Sequence, residues 1–209
     1  GRSVASGIME TAREQSTDLM LLGWPGTTTH PEAAFGSVID LVAKSPPCDL
    51  AVVRFQKREP PRKILVATAG GPHAGLATRL AISQARLYKE ESGETTEITL
   101  VNILPEGTEE AEQAQRRRRM EEIASRYDYP LIPKVVRAPD VVTGILREAE
   151  SHNVVMVGAS AQGLFDQRIF GSIPETVARE CTKTVIMTKR YWPLKSRLAR
   201  LTESVRGEF

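Results

Sequence analysis

The residues best placed for chemistry are glycines and serines that occur twice with the same spacing. The two sets, 135 residues apart, are Gly23, Gly26, Gly36 and Ser37, and Gly158, Ala161, Gly171 and Ser172. Glycine lets an anion approach backbone N–H groups closely, and a serine hydroxyl adds a donor. The first turn of a helix also carries unpaired N–H groups and a partial positive charge. The spacing therefore predicts two phosphate-binding loops, each leading into a helix.

The two loops belong to a longer internal repeat. The offset holds without a gap between residues 23–54 and 158–189. Further upstream, Gly7, Ile8 and Ala12 correspond to Gly144, Ile145 and Ala149 once a two-residue difference in helix length is allowed. A repeat of this length indicates two copies of one folding unit.

The elements that must position these loops alternate along the chain. Apolar runs predict strands over 18–23, 50–54, 63–68, 97–104, 132–137, 154–158 and 184–188. Amphipathic spacing predicts helices over 4–15, 36–44, 74–90, 108–127, 140–150 and 171–179. This alternation predicts an α/β fold with an open parallel sheet covered by helices on both faces.

The same reading divides the chain into four parts. Residues 63–190 hold five strands and four helices, which is one complete domain with a five-stranded sheet, whereas 1–55 match only its second half. Residues 56–62 read as a linker, and 191–209 as a basic amphipathic tail that lies on its own domain, on a membrane or on a partner. A two-stranded fragment leaves apolar surface exposed, so an upstream segment, a symmetry partner or a deleted region must complete the first copy.

Composition excludes several classes of protein. The chain has 209 residues, 41% hydrophobic residues and a net charge of +2, which gives no global attraction to nucleic acid. Two cysteines do not suggest a disulfide scaffold, and no apolar run reaches the roughly 20 residues of a membrane span. The histidines share no metal-ligand spacing, so no metal is predicted. A reducing cytoplasm is the expected location.

Three segments together resemble the universal stress protein (UspA-type) family. They are residues 64–71, the run 100–102 and the repeated Gly-x2-Gly-x9-Gly-Ser pattern, which is complete at Gly23, Gly26, Gly36 and Ser37. The resemblance implies a sheet of the adenine-nucleotide-hydrolase-like type, in a family in which some members bind ATP and others do not. It also implies pairing through the final strands, 50–54 and 184–188, and hence a homodimer.

The turn after the third predicted strand, residues 70–74, resembles a sub-type of this family. That sub-type consists of tandem domains fused behind membrane transporters, notably amino-acid permeases and cation–chloride cotransporters. The resemblance implies a position at the cytoplasmic face of the membrane, with a transporter domain in the same full-length chain.

The candidate nucleotide site lies beyond the carboxyl ends of the strands of the complete copy. Its residues are Thr68, Ala69, Gly70, Asn102, Gly158, Ser160, Ala161, Gly171 and Ser172. Two positions depart from the ATP-binding pattern, since Ala69 replaces the family's acidic residue and Ala161 replaces the second glycine. The first copy keeps its glycines but lacks a first strand, so neither site is intact.

These observations favour a non-enzymatic regulatory or assembly module that binds ATP or another adenine nucleotide. No general base or metal-ligand set stands out, which argues against catalysis. Two alternatives stay open: a structural dimerisation domain whose loops are vestigial, and a slow ATPase. Trp24 is expected to pack within its loop rather than stack on a base, and Arg116 to Arg119 to lie on a solvated helix face.

Overall fold

The fold is built on seven strands that alternate with six helices. The structure, a computed structural model, describes residues 3–27, 34–56, 59–160 and 169–191, and the predicted tail beyond 191 lies outside them. The strands are β1 (Leu19–Gly23), β2 (Asp49–Arg54), β3 (Lys63–Ala67), β4 (Glu97–Pro105), β5 (Leu131–Ala138), β6 (Val154–Gly158) and β7 (Thr184–Lys189). The helices are α1 (Val4–Glu14), α2 (Ser37–Lys44), α3 (Pro72–Ser92), α4 (Glu110–Ala124), α5 (Val141–Ala149) and α6 (Ser172–Glu180).

All seven strands form one sheet in the order β1-β2-β7-β6-β3-β4-β5. Neighbouring strands are parallel except β2 and β7, which run antiparallel. The predicted five-stranded sheet is therefore wrong in its strand number. The five strands of the complete copy are present, but the two strands of the first copy extend the same sheet.

The seam between β2 and β7 has a local two-fold symmetry. Val52 pairs with Met187, and these residues occupy equivalent positions in the two copies, 135 residues apart. The final strands therefore pair with each other within the chain. Each of them has a strand on both sides, so neither has a free edge at which a second copy could add a strand to form the expected homodimer.

The sheet separates two apolar layers. Helices α1, α2, α5 and α6 pack on one face, where the core includes the buried side chains of Leu50, Val155 and Met187. Helices α3 and α4 cover the other face, over Ile64 and Met156. Alternate residues of each interior strand point to opposite faces, which is why these strands are continuous apolar runs.

Side chains near the seam bind the helix of the opposite copy. Arg54 at the end of β2 donates from Nη1 to the carbonyl oxygens of Ala178 (2.6 Å) and Cys181 (2.8 Å), at the end of α6. Lys189 at the end of β7 donates from Nζ to the carbonyl of Ala43 (2.8 Å), at the end of α2. Since Arg54 and Lys189 are equivalent residues, as are Ala43 and Ala178, the two contacts are related by the two-fold. A cation at the end of a helix also interacts favourably with its dipole.

Aromatic rings fill the space between the copies. Trp24 is 3% exposed and meets Phe35 edge to face at 5.0 Å between ring centroids. Phe35 meets its own equivalent, Phe170, edge to face at 5.5 Å. The prediction that Trp24 packs rather than stacks on a base is confirmed, because its ring is enclosed in the core.

Candidate nucleotide site

The ends of β3, β4 and β6 and the beginnings of α5 and α6 enclose a cavity of about 330 Å³. Six of the predicted site residues line it: Thr68, Ala69, Gly70, Asn102, Gly158 and Ser160. The remaining wall is apolar and comes from Ala67, Ala74, Val101, Ile103, Val141, Ile145, Val157, Ala159, Ile173 and Pro174. A cavity with mostly apolar walls and a few converging polar groups is typical of a small-molecule site.

Asn102 and Thr68 form the polar floor of this cavity. Asn102 is 5% exposed and donates from Nδ2 to the carbonyl oxygen of Thr68 at 2.6 Å. The Thr68 hydroxyl in turn accepts from the backbone N–H of Gly70 at 2.9 Å. The Asn102 Oδ1 atom is buried and has no hydrogen-bond partner among the described residues. A buried acceptor without a partner is costly.

The loop after β6 is held close to the rest of the site. A methyl group at Gly158 would lie 2.6 Å from the backbone nitrogen of Ala74, so only glycine allows α3 to approach β6 this closely. The Ser160 N–H donates to the carbonyl of Phe170 at 2.9 Å, which brings the two ends of the glycine-rich loop together. Ala161, between them, lies outside the described residues.

Both repeated glycine–serine pairs open a helix. Gly36 precedes α2 with φ +103°, and Gly171 precedes α6 with φ +94°. The predicted twin loops are thus confirmed in their helical context. Neither glycine provides a side-chain cap, and Ser37 and Ser172 occupy the first position of their helices with exposed side chains.

Carboxylates in the first turn of each helix bind the residues just ahead of it. The Glu175 carboxylate accepts from the Phe170 N–H at 3.1 Å, and Asp40, its equivalent, accepts from the N–H groups of Ala34 (2.8 Å) and Phe35 (2.9 Å). An acidic side chain in the first turn is also stabilised by the helix dipole. The signal for this role was present in the sequence, since Asp40 and Glu175 are three residues after the serines.

The two copies place their loops at opposite edges of the sheet. Because β2 and β7 run antiparallel, the carboxyl ends of β1 and β2 point away from those of β3, β4 and β6. Gly23, Gly26, Gly36 and Ser37 therefore do not join the cavity, and none of them lines it. Gly26 instead approaches the Arg54 side chain, where a methyl group would lie 2.8 Å from Nε.

Among the residues that the structure describes, no charged side chain lines the cavity. Gly171 and Ser172, which the sequence predicted for the site, are not among the lining residues, and α6 contributes Ile173 and Pro174 instead. Among the described residues, no group of three or more histidine, cysteine or acidic side chains could hold a metal ion.

The buried titratable side chains have structural partners. His152 is 5% exposed, and its Nδ1 lies 2.7 Å from the Glu148 carbonyl oxygen, which requires a proton on Nδ1. Its Nε2 then accepts from the Thr99 hydroxyl at 3.2 Å. Burial lowers the pKa of His152 below its usual value. Cys48 and Cys181 are buried free thiols whose pKa is raised by burial, so neither is an activated nucleophile.

The arginine run on α4 behaves as an exposed helix surface. Arg117, Arg118 and Arg119 are exposed, and Arg116 lies 4.0 Å from Glu112 one turn earlier. In the part of the chain that the structure describes, no helix is long and apolar enough to cross a bilayer.

Comparison with known proteins identifies relatives of the chain. It is 25% identical over 189 residues to the Na(+)/H(+) antiporter NhaS5 of Synechocystis, and the match covers 88% of this chain but 26% of the antiporter, about a quarter of its length. The fold matches a universal stress protein from Archaeoglobus fulgidus (TM-score 0.60, 18% identity), covering 90% of this chain and 65% of that one. It also matches the functionally unknown protein PA1789 of Pseudomonas aeruginosa (TM-score 0.62, 17% identity), covering 100% of this chain and 74% of that one.

The sequence model of the universal stress protein family matches residues 1–54 and 61–189, which together span most of the chain and both copies of the repeat. The chain therefore belongs to the universal stress protein family.

Proposed function

We propose that this chain is a non-enzymatic regulatory module that binds an adenine nucleotide in the cavity beside Asn102. The observation that carries the proposal is a cavity of about 330 Å³ at the carboxyl ends of the strands, with mostly apolar walls and Asn102 among its few polar residues. An adenine base is flat and mostly apolar and can both donate and accept hydrogen bonds, which suits apolar walls with a few polar groups. The phosphates would lie toward Gly171 and Ser172, at the start of α6.

Equilibrium titration of the chain with ATP and AMP tests the proposal. Asn102→Leu keeps the side-chain volume similar but removes the acceptor, and we expect affinity to fall about tenfold or more, since a hydrogen bond of this kind contributes ~1–2 kcal/mol. Gln115→Leu is the control, because Gln115 is exposed on α4, away from the cavity. Thermal melting of both variants shows whether the fold is retained.

A gain of affinity provides the complementary test. Ala69 lines the cavity but is exposed, so a longer side chain can be accommodated there. Ala69→Asp supplies the acidic residue that the family resemblance places after the first strand of the domain, and we expect it to tighten binding of ATP and AMP. Equal affinity in the parent chain and in Ala69→Asp would contradict the assignment of this cavity.

A structural role without any ligand is the second candidate. It is favoured by Ala69 and by the lack of a cation for phosphate among the described residues of the cavity wall. This candidate predicts no binding of ATP or AMP up to millimolar concentration. Release of phosphate from ATP in proportion to protein concentration would instead indicate an ATPase.

We further propose that the module belongs to a membrane transporter and lies on its cytoplasmic side. The support is the likeness to NhaS5, a protein about four times longer than the matched region. The residues encoded ahead of Gly1 test this part of the proposal: a series of apolar spans there would support it, and a second stand-alone stress-type domain with no such spans would contradict it.

A further inference from the structure

A second cavity lies between α3 and α4, on the face of the sheet opposite to α5 and α6. Its volume is about 340 Å³, and the turn after β3 forms a wall that it shares with the cavity beside Asn102. The two cavities differ in charge. The one beside Asn102 has no charged side chain in its described wall, whereas the second contains Arg119, Glu122 and Arg126. We call the second one the arginine cavity.

The turn after β3 lets a guanidinium group lie against the backbone. Gly70 and Gly71 have φ values of +91° and +92°, a region that favours glycine, so two successive positions of this turn carry no side chain. A methyl group at Gly70 would lie 4.0 Å from Nη2 of Arg119. Arg119 belongs to the exposed run on α4, but its guanidinium reaches the space that these glycines leave open.

Further donors meet at Gly75, which lies in the first turn of α3 and lines the same cavity. A methyl group there would lie 3.7 Å from Nη1 of Arg79 and 3.8 Å from the hydroxyl oxygen of Tyr127. Arg126, next to Tyr127 in the chain, lines the cavity as well. Three guanidinium groups and one phenol hydroxyl therefore border one space, although they come from α3, from α4 and from the segment after α4.

These cations lack carboxylate partners. Within the described part of the chain, Arg79, Arg119 and Arg126 form no ion pair, whereas Arg116 on α4 lies 4.0 Å from a carboxylate. Glu122 is the one carboxylate among the described lining residues, and its exposed side chain pairs with none of the three arginines. The cavity therefore has an excess of positive charge, which attracts anions.

The chemistry of the donors suits a phosphate group. A guanidinium presents parallel N–H groups that match two phosphate oxygens, and a phenol O–H can donate to a third oxygen. A carboxylate offers only two oxygens and a single charge, so it would leave part of this donor set without acceptors. The donors therefore favour a phosphate over a carboxylate.

We propose that the arginine cavity binds a phosphate group, held by Arg119 and Arg126, with Arg79 and Tyr127 at its rim. The phosphate belongs to a soluble molecule or to the headgroup of an anionic lipid, since both present the same oxygens to the arginines. The proposal does not rest on nucleotide binding beside Asn102, because Asn102 lines the other cavity and not this one.

Calorimetric titration of the 209-residue chain with inorganic pyrophosphate is the test. In the double variant Arg119→Gln, Arg126→Gln we expect affinity to fall about tenfold or more, because each hydrogen bond to a charged group corresponds to about that factor. The double variant Arg117→Gln, Arg118→Gln is the matched control. It removes the same charge from the same surface, but neither residue lines the cavity, so affinity should change less than about threefold.

A gain of affinity provides a readout that a misfolded variant cannot mimic. Glu122→Gln removes the carboxylate that faces the arginines, and we expect it to tighten pyrophosphate binding about threefold or more. Asn102→Leu, which tests the nucleotide cavity, should leave pyrophosphate binding unchanged. The two proposals can therefore fail separately.

Vesicles separate the two sources of the phosphate. The probe is a vesicle of phosphatidylcholine and phosphatidic acid in equal proportion, with pure phosphatidylcholine as its control. Binding of pyrophosphate that is lost in the Arg119→Gln, Arg126→Gln variant assigns the phosphate to a soluble molecule. The same loss seen with the vesicles, in the absence of pyrophosphate binding, assigns it to a lipid. Equal losses in the two double variants, or no binding of either probe, would overturn the proposal.

Discussion

Arg54 and Lys189 each bind the end of a helix of the other copy, and replacing them should measure how much the seam between the copies contributes to stability. The change is Arg54→Met, which keeps an apolar stem of similar length but removes both hydrogen bonds to the end of α6. Lys189→Met is the equivalent change in the other copy, at the end of α2. Both side chains are partly buried at the seam, so water replaces their contacts only incompletely.

The expected loss follows from the contacts. A hydrogen bond from a charged donor contributes ~1.5–3 kcal/mol, and an orphaned helix carbonyl adds to the cost. The Arg54 guanidinium also lies 6.0 Å from the centre of the Trp24 ring, a contact that contributes about 0.5–1 kcal/mol. We therefore expect a loss in the free energy of unfolding of about 3 kcal/mol for Arg54→Met and about 2 kcal/mol for Lys189→Met. Most of the difference arises because Ala159 takes the place of Trp24 in the second copy.

Urea unfolding followed by circular dichroism provides the assay. The two sites lie about 13 Å apart along the strands, so the losses should add within about 0.5 kcal/mol in the double variant. Arg116→Met is the control, because the pair with Glu112 is on the surface of α4 and should change stability by under about 0.5 kcal/mol. Losses below about 0.5 kcal/mol for both seam variants would refute the idea that cross-capping stabilises the joined copies.

Two further predictions concern local strain and pH. Gly171→Ala should lower the free energy of unfolding by about 1–3 kcal/mol, because alanine is strained at a φ of +94°. The loss should be larger still because the new methyl group would overlap the Ser160 hydroxyl. Gly36→Ala is the matched control: its φ of +103° imposes the same backbone strain, but its methyl group would meet no described atom within 4 Å, so the loss should be smaller. Equal melting temperatures for the two variants would contradict the Ser160 contact. Burial lowers the pKa of His152 in the folded chain. Below about pH 6.5 this histidine is therefore protonated in the unfolded chain but still neutral in the folded chain. The free energy of unfolding should fall as the pH falls from there toward the lowered pKa of the folded state. His152→Gln should flatten the slope of unfolding free energy between about pH 7.5 and 5.5, measured in urea, and an unaltered slope would assign the dependence to other groups.

The order of helices and strands could be predicted from the sequence because each element carries a strong local pattern. Short apolar runs ending near glycine, such as 154–158, correspond to buried parallel strands, and every predicted element is present within a few residues of its expected bounds. The strand number of the sheet could not be derived from such patterns. It depends on the antiparallel pairing of β2 with β7, a long-range contact that leaves no periodicity in either strand.

The candidate site was predictable only in part, for a physical reason. The glycines and Asn102 could be found because parallel strands bring their carboxyl ends to one edge. The apolar walls from Val141, Ile145 and Ile173 resembled ordinary core residues, and only their position beside the strand ends makes them a lining. The Oδ1 atom of Asn102 has no partner because no donor of the described residues lies next to it, which is a property of packing rather than of any motif.

The antiparallel seam determines how the two copies relate to each other. It places the carboxyl ends of β1 and β6, and the glycine–serine pairs that follow them, at opposite edges of the sheet. The direct links are Arg54, which joins β2 to α6, and Lys189, which joins β7 to α2. Each of these cations binds the last turn of a helix that begins at a glycine–serine pair of the other copy, so the contacts that stabilise the seam also tie each helix to a strand of the opposite copy.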